Sequence, residues 1–144
     1  MTINLVKLCV GAETIDDLER WVKRRVSTNR AAGLGHVHDH ITRMTPKRRE
    51  EILDGGSIYW VIKGNILVRQ EIVDLKPVVG ADGIGRCAFL MKPPLISTQP
   101  FPRKAFQGWR YLPSDDAPPD LAKGQNKKGP APELQVELAA LGLL

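Results

Sequence analysis

The sequence predicts an α+β fold: a small, strongly bent, mostly antiparallel sheet or a partly closed β-barrel, flanked by two or three helices. Three observations predict it. At least five short apolar runs are separated by turn residues. Two segments carry helix-capping residues beside an apolar stripe. A Gly-Asn pair, Gly64-Asn65, divides two apolar runs as a hairpin turn would. The length of 144 residues suits one domain with a real core, and 42% hydrophobic with 26% charged residues is an ordinary globular balance.

The elements follow in order. "TINLVKLCV" reads as a buried strand, ended by "GAE". Thr14 opens a helix, with Asp17 three residues later in capping-box position. Ile15, Leu18, Trp21, Val22 and Val26 form its apolar stripe, and Lys23, Arg24 and Arg25 crowd its last turns. "HVHDHITRM" alternates and reads as a strand. "TPKRREEILDGG" is a short helix with Thr45 as N-cap, Pro46 at the first helical position and Gly55 past the end. Lys47, Arg48 and Arg49 then stand where the helix dipole disfavours cations, a conflict that an approaching anion would remove.

In "GGSIYWVIKGNILVRQEI" a Gly64-Asn65 turn sets Lys63 against Ile66, Ile62 against Leu67, Val61 against Val68 and Trp60 against Arg69. Each face of this hairpin is then mixed, so most of it is expected to be covered, with its charges at a rim. "KPVVGADGIG" reads as a loop, "RCAFLMK" as a strand ended by Pro93-Pro94, the proline-rich stretch after it as a surface wrap, and "GWRYL" as a last strand. Composition predicts one globular domain over residues 1–123, a linker over 124–132, and over 133–144 a short amphipathic helix, with Leu134, Leu138 and Leu141 on one side, or a tail.

The strings "TRMTPKR", "GGSIYWVIKG" and "FQGWRYL" resemble an uncharacterised bacterial family, domain of unknown function 1489, over residues 3–122. That resemblance implies no activity and carries over no catalytic residue. The order of short helix, Gly-Gly, aromatic strand and basic rim is also similar in architecture to the small PUA-like barrels, including the ASCH and EVE types, whose members often bind RNA or modified bases. A shared architecture does not transfer function.

Charge and cysteine usage bound the function. The net charge is +5 and the sequence pI about 9.4, which fits a polyanion partner. Two isolated cysteines, Cys9 and Cys87, fit a reducing compartment, and no CxxC pair is present. The amino-terminal run lacks a signal peptide's basic flank, and no window is long enough for a membrane helix, so a cytoplasmic protein is expected. GxSxG, phosphate-loop and dinucleotide fingerprints are absent, so no cofactor is expected.

One constellation stands out. Arg43, Lys47, Arg48 and Arg49 precede the hairpin; Trp60, Lys63 and Arg69 lie in it; Arg103, Lys104, Gln107, Trp109, Arg110 and Tyr111 follow, with no acidic residue between Phe101 and Leu112. Cations that track phosphates and aromatic faces that stack on bases are the chemistry of single-stranded nucleic acid binding. This predicts a non-enzymatic module for RNA or a nucleotide-like ligand. Arg43, Lys47, Arg48 and Arg103 would meet phosphates, Trp60 or Trp109 would stack, and Gln107 and Arg110 would read polar edges. The alternative for these residues is a pair of core tryptophans beneath a solvated basic face. A rival function is an assembly protein that meets an acidic protein partner, with "LQVELAALGLL" as its contact. A second rival is a metal-dependent hydrolase on His36, His38 and His40, which a strand would project from one face in steps of about 6–7 Å. Glu50 and Glu51 are adjacent on a helix and do not share a face, and Asp115–Asp116 read as neutralising nearby arginines or as a solvated loop, so neither pair is expected to do acid–base work.

Overall fold

The computed structural model describes residues 2–104 and 106–121, and these form seven strands and two helices. The elements are β1 (Ile3–Leu8), α1 (Ile15–Ala31), β2 (His38–Thr42), α2 (Arg49–Leu53), β3 (Ser57–Ile62), β4 (Asn65–Val79), β5 (Gly85–Met91), β6 (Ile96–Pro102) and β7 (Trp109–Pro113), followed by a 3-10 turn at Ser114–Asp116. The expected linker and C-terminal helix lie outside the described residues.

The strands form one mixed sheet in the order β2-β5-β4-β3-β1-β7, with β6 paired to the first half of β4. The β1–β3 pair is parallel; the other ladders are antiparallel. The α+β class therefore holds, but the sheet is not closed, and the barrel expectation is corrected. The curl is nevertheless tight. His40 of β2, an edge strand, packs edge-on against Trp60 of β3 at 5.5 Å between ring centroids. Past β2, the Met44 carbonyl accepts from Trp109 Nε1 of β7, the opposite edge, at 2.8 Å. The 43–48 segment thus occupies the gap where two edge strands would have to pair, and side-chain bonds replace the missing ladder.

Both faces of the sheet are covered. One carries the larger core, with Leu5, Ile58, Trp60, Ile62, Phe89 and Met91 packed against Leu18, Val22 and Val26 of α1. The other carries Val6, Tyr59, Val61, Ile66 and Leu112 under Phe106 and Ala117. The α1 cap forms as expected: Thr14 Oγ1 accepts from the Asp17 N–H at 3.1 Å, and Asp17 Oδ2 accepts from the Glu13 N–H at 3.1 Å. Trp21 departs from the expected stripe; it is 40% exposed and lies over Gly11.

The hairpin turn falls one residue earlier than expected. Ile62 pairs with Asn65, so the loop is Lys63-Gly64, with φ of 49° and 82°. Two left-handed residues are what a type I′ turn needs. A register shift follows Trp60, so Trp60 faces Val68 and Tyr59 faces Arg69. Arg69 therefore leaves the face of Trp60, and the expected pairing of indole and guanidinium does not form. A lysine in the left-handed region is strained. Lys63→Asn, which supplies the Asn-Gly pair that this turn favours, is expected to raise stability by about 0.5–1 kcal/mol in urea titration.

Three further expectations change. The "KPVVGADGIG" stretch is half strand, because β4 runs on to Val79 before turning at Gly80–Gly83 into β5. The proline-rich wrap contains β6. Thr45 is not the α2 N-cap: the helix begins at Arg49, and the Tyr111 hydroxyl accepts from the Lys47 and Arg48 N–H groups at 2.9 and 3.3 Å.

Candidate functional site

The basic and aromatic residues divide into those locked inside the fold and those presented together at one side of it. Both tryptophans belong to the first group. Trp60 is 3% and Trp109 5% exposed. Trp60 Nε1 donates to Gln70 Oε1 at 2.9 Å, and Trp109 stacks edge-on with Tyr111 at 4.9 Å. Neither indole offers a face to a base, so the expected stacking role is corrected for both; the core reading of the tryptophans holds.

Arg69 is also committed. Its Nε and Nη2 donate to the two carboxylate oxygens of Asp120 at 2.8 and 2.9 Å, and its Nη1 donates to Ser57 Oγ at 2.8 Å. Asp120 also pairs with Thr98 of β6 as an isolated bridge. The 114–121 segment therefore crosses from β7 back to β6, with Arg69 as its anchor, and Arg69 is a structural residue.

Around Phe106 the remaining cations converge. The Arg103 and Arg110 guanidinium carbons lie 5.5 and 5.2 Å from the Phe106 ring centroid. With Phe101, Pro102, Lys104 and Tyr111 they line an open concavity of about 600 Å³. Arg110 Nη1 donates to the Gln107 and Trp109 carbonyls at 2.9 and 3.0 Å, which fixes its direction. The Arg103 N–H donates to the Gly64 carbonyl at 2.8 Å, which brings the Lys63 turn to the same rim. On the Tyr111 side, the Arg48 guanidinium lies 5.4 Å from that ring's centroid, with Lys47 beside it. The bond from Trp109 to Met44 holds the chain next to Arg43 at the neighbouring edge.

Pairing separates the arginines in a useful way. Arg20, Arg25, Arg48, Arg49, Arg69 and Arg86 each bind a carboxylate. Among the described residues, no carboxylate pairs with Lys63, Arg103, Lys104 or Arg110, nor with Arg43 or Lys47. Two guanidiniums crowded on one ring without counterions are mutually repulsive, and an anion between them would remove that cost. Of the expected site residues, the fold thus gathers Lys47, Arg48, Lys63, Arg103, Gln107 and Arg110 near one concavity and sends Trp60, Trp109 and Arg69 elsewhere. The aromatic floor is Phe101, 44% exposed, with Phe106 and Tyr111. Sequence reading overlooked Phe106 as a contact because tryptophan drew the stacking role; its position between "PRK" and "QGWR" was the available signal.

The three histidines sit in different surroundings. His36 precedes β2 and is exposed. His38 Nδ1 lies 3.1 Å from Gln70 Oε1. That oxygen already accepts from the indole N–H, which only donates, so the His38 nitrogen must be the protonated one. Burial pushes the His38 pKa down, and pushes His40 down to about 4 with help from the Lys7 charge. Among the described residues no group of three or more His, Cys, Asp or Glu is placed to hold a metal ion. Cys9 and Cys87 are buried free thiols, and burial raises Cys9 to about 11. Among the described residues no helix is long and apolar enough to cross a membrane. The tail segment "LQVELAALGLL" lies outside the described residues.

A family model described as a protein of unknown function (DUF1489) matches residues 5–144. No curated protein and no solved structure matches the chain.

Proposed function

We propose, for a chain that belongs to the DUF1489 family, a non-enzymatic binding module for single-stranded RNA or a nucleotide-like ligand, seated in the Phe101–Tyr111 concavity. The observation that carries this reading is the pair of guanidiniums, Arg103 and Arg110, on the Phe106 ring, with no carboxylate partner among the described residues. Arg103, Arg110, Lys104 and Lys63 meet phosphates. Phe101, with an exposed ring, stacks on a base, and Phe106 supports the guanidiniums from beneath. Lys47 and Arg43 extend the positive rim, and the Gln107 side chain is exposed beside it for polar base edges. The left-handed Lys63 fits the same reading, since strain is tolerated where a side chain serves a ligand.

Binding of a short fluorescein-labelled oligouridylate, followed by anisotropy, tests it. The R103Q/R110Q variant is expected to bind at least about tenfold more weakly than the parent, because each lost phosphate contact removes electrostatic affinity. Among the described residues neither arginine has an ion-pair partner to orphan, so the variant's urea midpoint should stay close to the parental one. Equal affinity of the variant and the parent would remove the proposal.

A further inference from the structure

A second concavity, of about 500 Å³, lies between α1 and the turn that joins β5 to β6. Val22 and Val26 of α1 form its floor, and Pro93, Pro94 and Leu95 form the facing wall. Pro94 is exposed, and Pro93 and Leu95 are half-buried, so the wall keeps apolar surface open to solvent. Lys23, Ser27 and Arg30 stand along the α1 rim at i, i+4 and i+7, one side of a helix. Glu19 answers Lys23 at 3.6 Å. Among the described residues no carboxylate pairs with Arg30, so the rim keeps a positive charge. The result is an open apolar trough with a cation beside it.

The path of the chain indicates what covers this trough. The described residues run to Leu121, whose N–H donates to the Ser97 carbonyl at 2.9 Å. Ser97 stands two residues beyond Leu95, about 7 Å along an extended chain. The chain therefore passes the trough's wall as it enters residues 122–144. Residues 122–132 can span up to about 36 Å, so the segment after them reaches the whole trough. That segment, "ELQVELAALGLL", has matching chemistry. On helical spacing Leu134, Leu138 and Leu141 share one face, with Glu133 and Glu137 along one margin of it. From Gly129 to Leu144 there is no lysine or arginine. Leu134 to Leu141 covers about 10 Å of helix axis, and Val22 to Arg30 about 12 Å, so the two stripes match in length. A short tether holds its segment at an effective concentration of about millimolar, which favours the chain's own segment over that of a second copy. The family match extends through Leu144 and includes this segment.

We propose that residues 133–144 dock as an amphipathic helix in the trough of their own chain. Leu134, Leu138 and Leu141 meet Val22, Val26 and Leu95, and Glu133 and Glu137 lie beside Lys23 and Arg30. The trough shares no residue with the Phe106 concavity, so the inference stands apart from the RNA reading.

The test is nuclear magnetic resonance of the full, isotope-labelled chain with a nitroxide attached through Ala139→Cys, opposite the leucine face. Cys9 and Cys87 are buried, and the parent chain treated in the same way controls for them. Paramagnetic broadening of the α1 amides from Val22 to Arg30 is expected, with none around Arg103–Arg110. Leu138→Asp should abolish it. The K23E/R30E variant should lose most of it, and adding E133K/E137K should restore it. The amide spectrum shows directly whether each variant is folded, and Leu138→Asp decides alone if the reversal disturbs α1. Unbroadened α1 amides, broadening centred on Arg103–Arg110, or broadening indifferent to Leu138→Asp would overturn the proposal. So would α1 broadening that is carried only between molecules. That is read from a mixture of isotope-labelled chain without nitroxide and unlabelled chain bearing it, and would assign the trough to a second copy.

Discussion

Replacing Gly56 with alanine is expected to cost about 3 kcal/mol or more, while the same change at Gly55 costs about 1–2 kcal/mol. The two neighbours differ in what a methyl group would meet. A Cβ at Gly56 would lie 2.4 Å from the Ile3 carbonyl oxygen and 2.4 Å from that of Ile52. Both are backbone atoms, one on β1 and one at the end of α2, and neither can rotate away. Gly56 also donates its N–H to the Ile52 carbonyl at 2.8 Å and accepts from the Ile72 N–H at 3.0 Å, so a shift there would disturb α2 and β4 together. At Gly55 nothing lies within 4 Å, and only its φ of +83° opposes a side chain. Urea denaturation of both variants checks the difference. A Gly56→Ala protein within about 1 kcal/mol of the parent would mean that α2 and β1 do not meet as closely as described.

Gln70→Leu is the second large effect, at about 3–5 kcal/mol. Gln70 is fully buried and joins three elements. Its Oε1 accepts from Trp60 Nε1 on β3 and from His38 Nδ1 on β2, and its Nε2 donates to the Lys92 carbonyl at 3.1 Å beyond β5. Leucine fills a similar volume but leaves two buried donors unmet, and each buried unsatisfied group costs about 1–3 kcal/mol. The exposed Gln99 serves as control, where the same substitution should stay within about 0.5 kcal/mol. A double-mutant cycle of Gln70→Leu with Trp60→Phe should show coupling of about 0.5 kcal/mol or more, since removal of the indole donor relieves part of the loss. Strict additivity would count against the network.

What the sequence made legible follows from local rules, and what it hid follows from partnership between distant segments. The α1 cap was readable because Thr14 and Asp17 satisfy one another within one turn. β7 was readable from "GWRYL", and the covered hairpin from apolar residues on both of its faces, since the two cores lie on opposite sides of β3. The turn was misplaced because Gly64-Asn65 matches a known loop preference, whereas the observed loop puts a lysine where glycine or asparagine is usual. β6 was missed because Pro100 and Pro102 discourage a strand reading; an edge position tolerates them, and among the described residues β6 has β4 as its ladder partner and an isolated bridge to Asp120. Pro77 is accommodated in the same way, in the half of β4 whose ladder is with β5.

The candidate site was legible as a charge pattern but not as a geometry. Absence of acid between Phe101 and Leu112 pointed to the cations that have no carboxylate partner among the described residues. Alternation could not say which aromatic ring would be left exposed, because that depends on the 43–48 segment sealing Trp109 and on His40 and Gln70 sealing Trp60. Nor could it show that Asp120, distant in sequence, would claim Arg69.

The most direct test of the polyanion reading is the salt dependence of oligouridylate affinity between about 50 and 200 mM salt. A phosphate-binding surface gives a straight fall of log affinity with log salt, and R103Q/R110Q should flatten that slope by about 1.4, at roughly 0.7 for each contact removed from a single strand. An affinity indifferent to salt, or an identical slope in the parent and the variant, would contradict it.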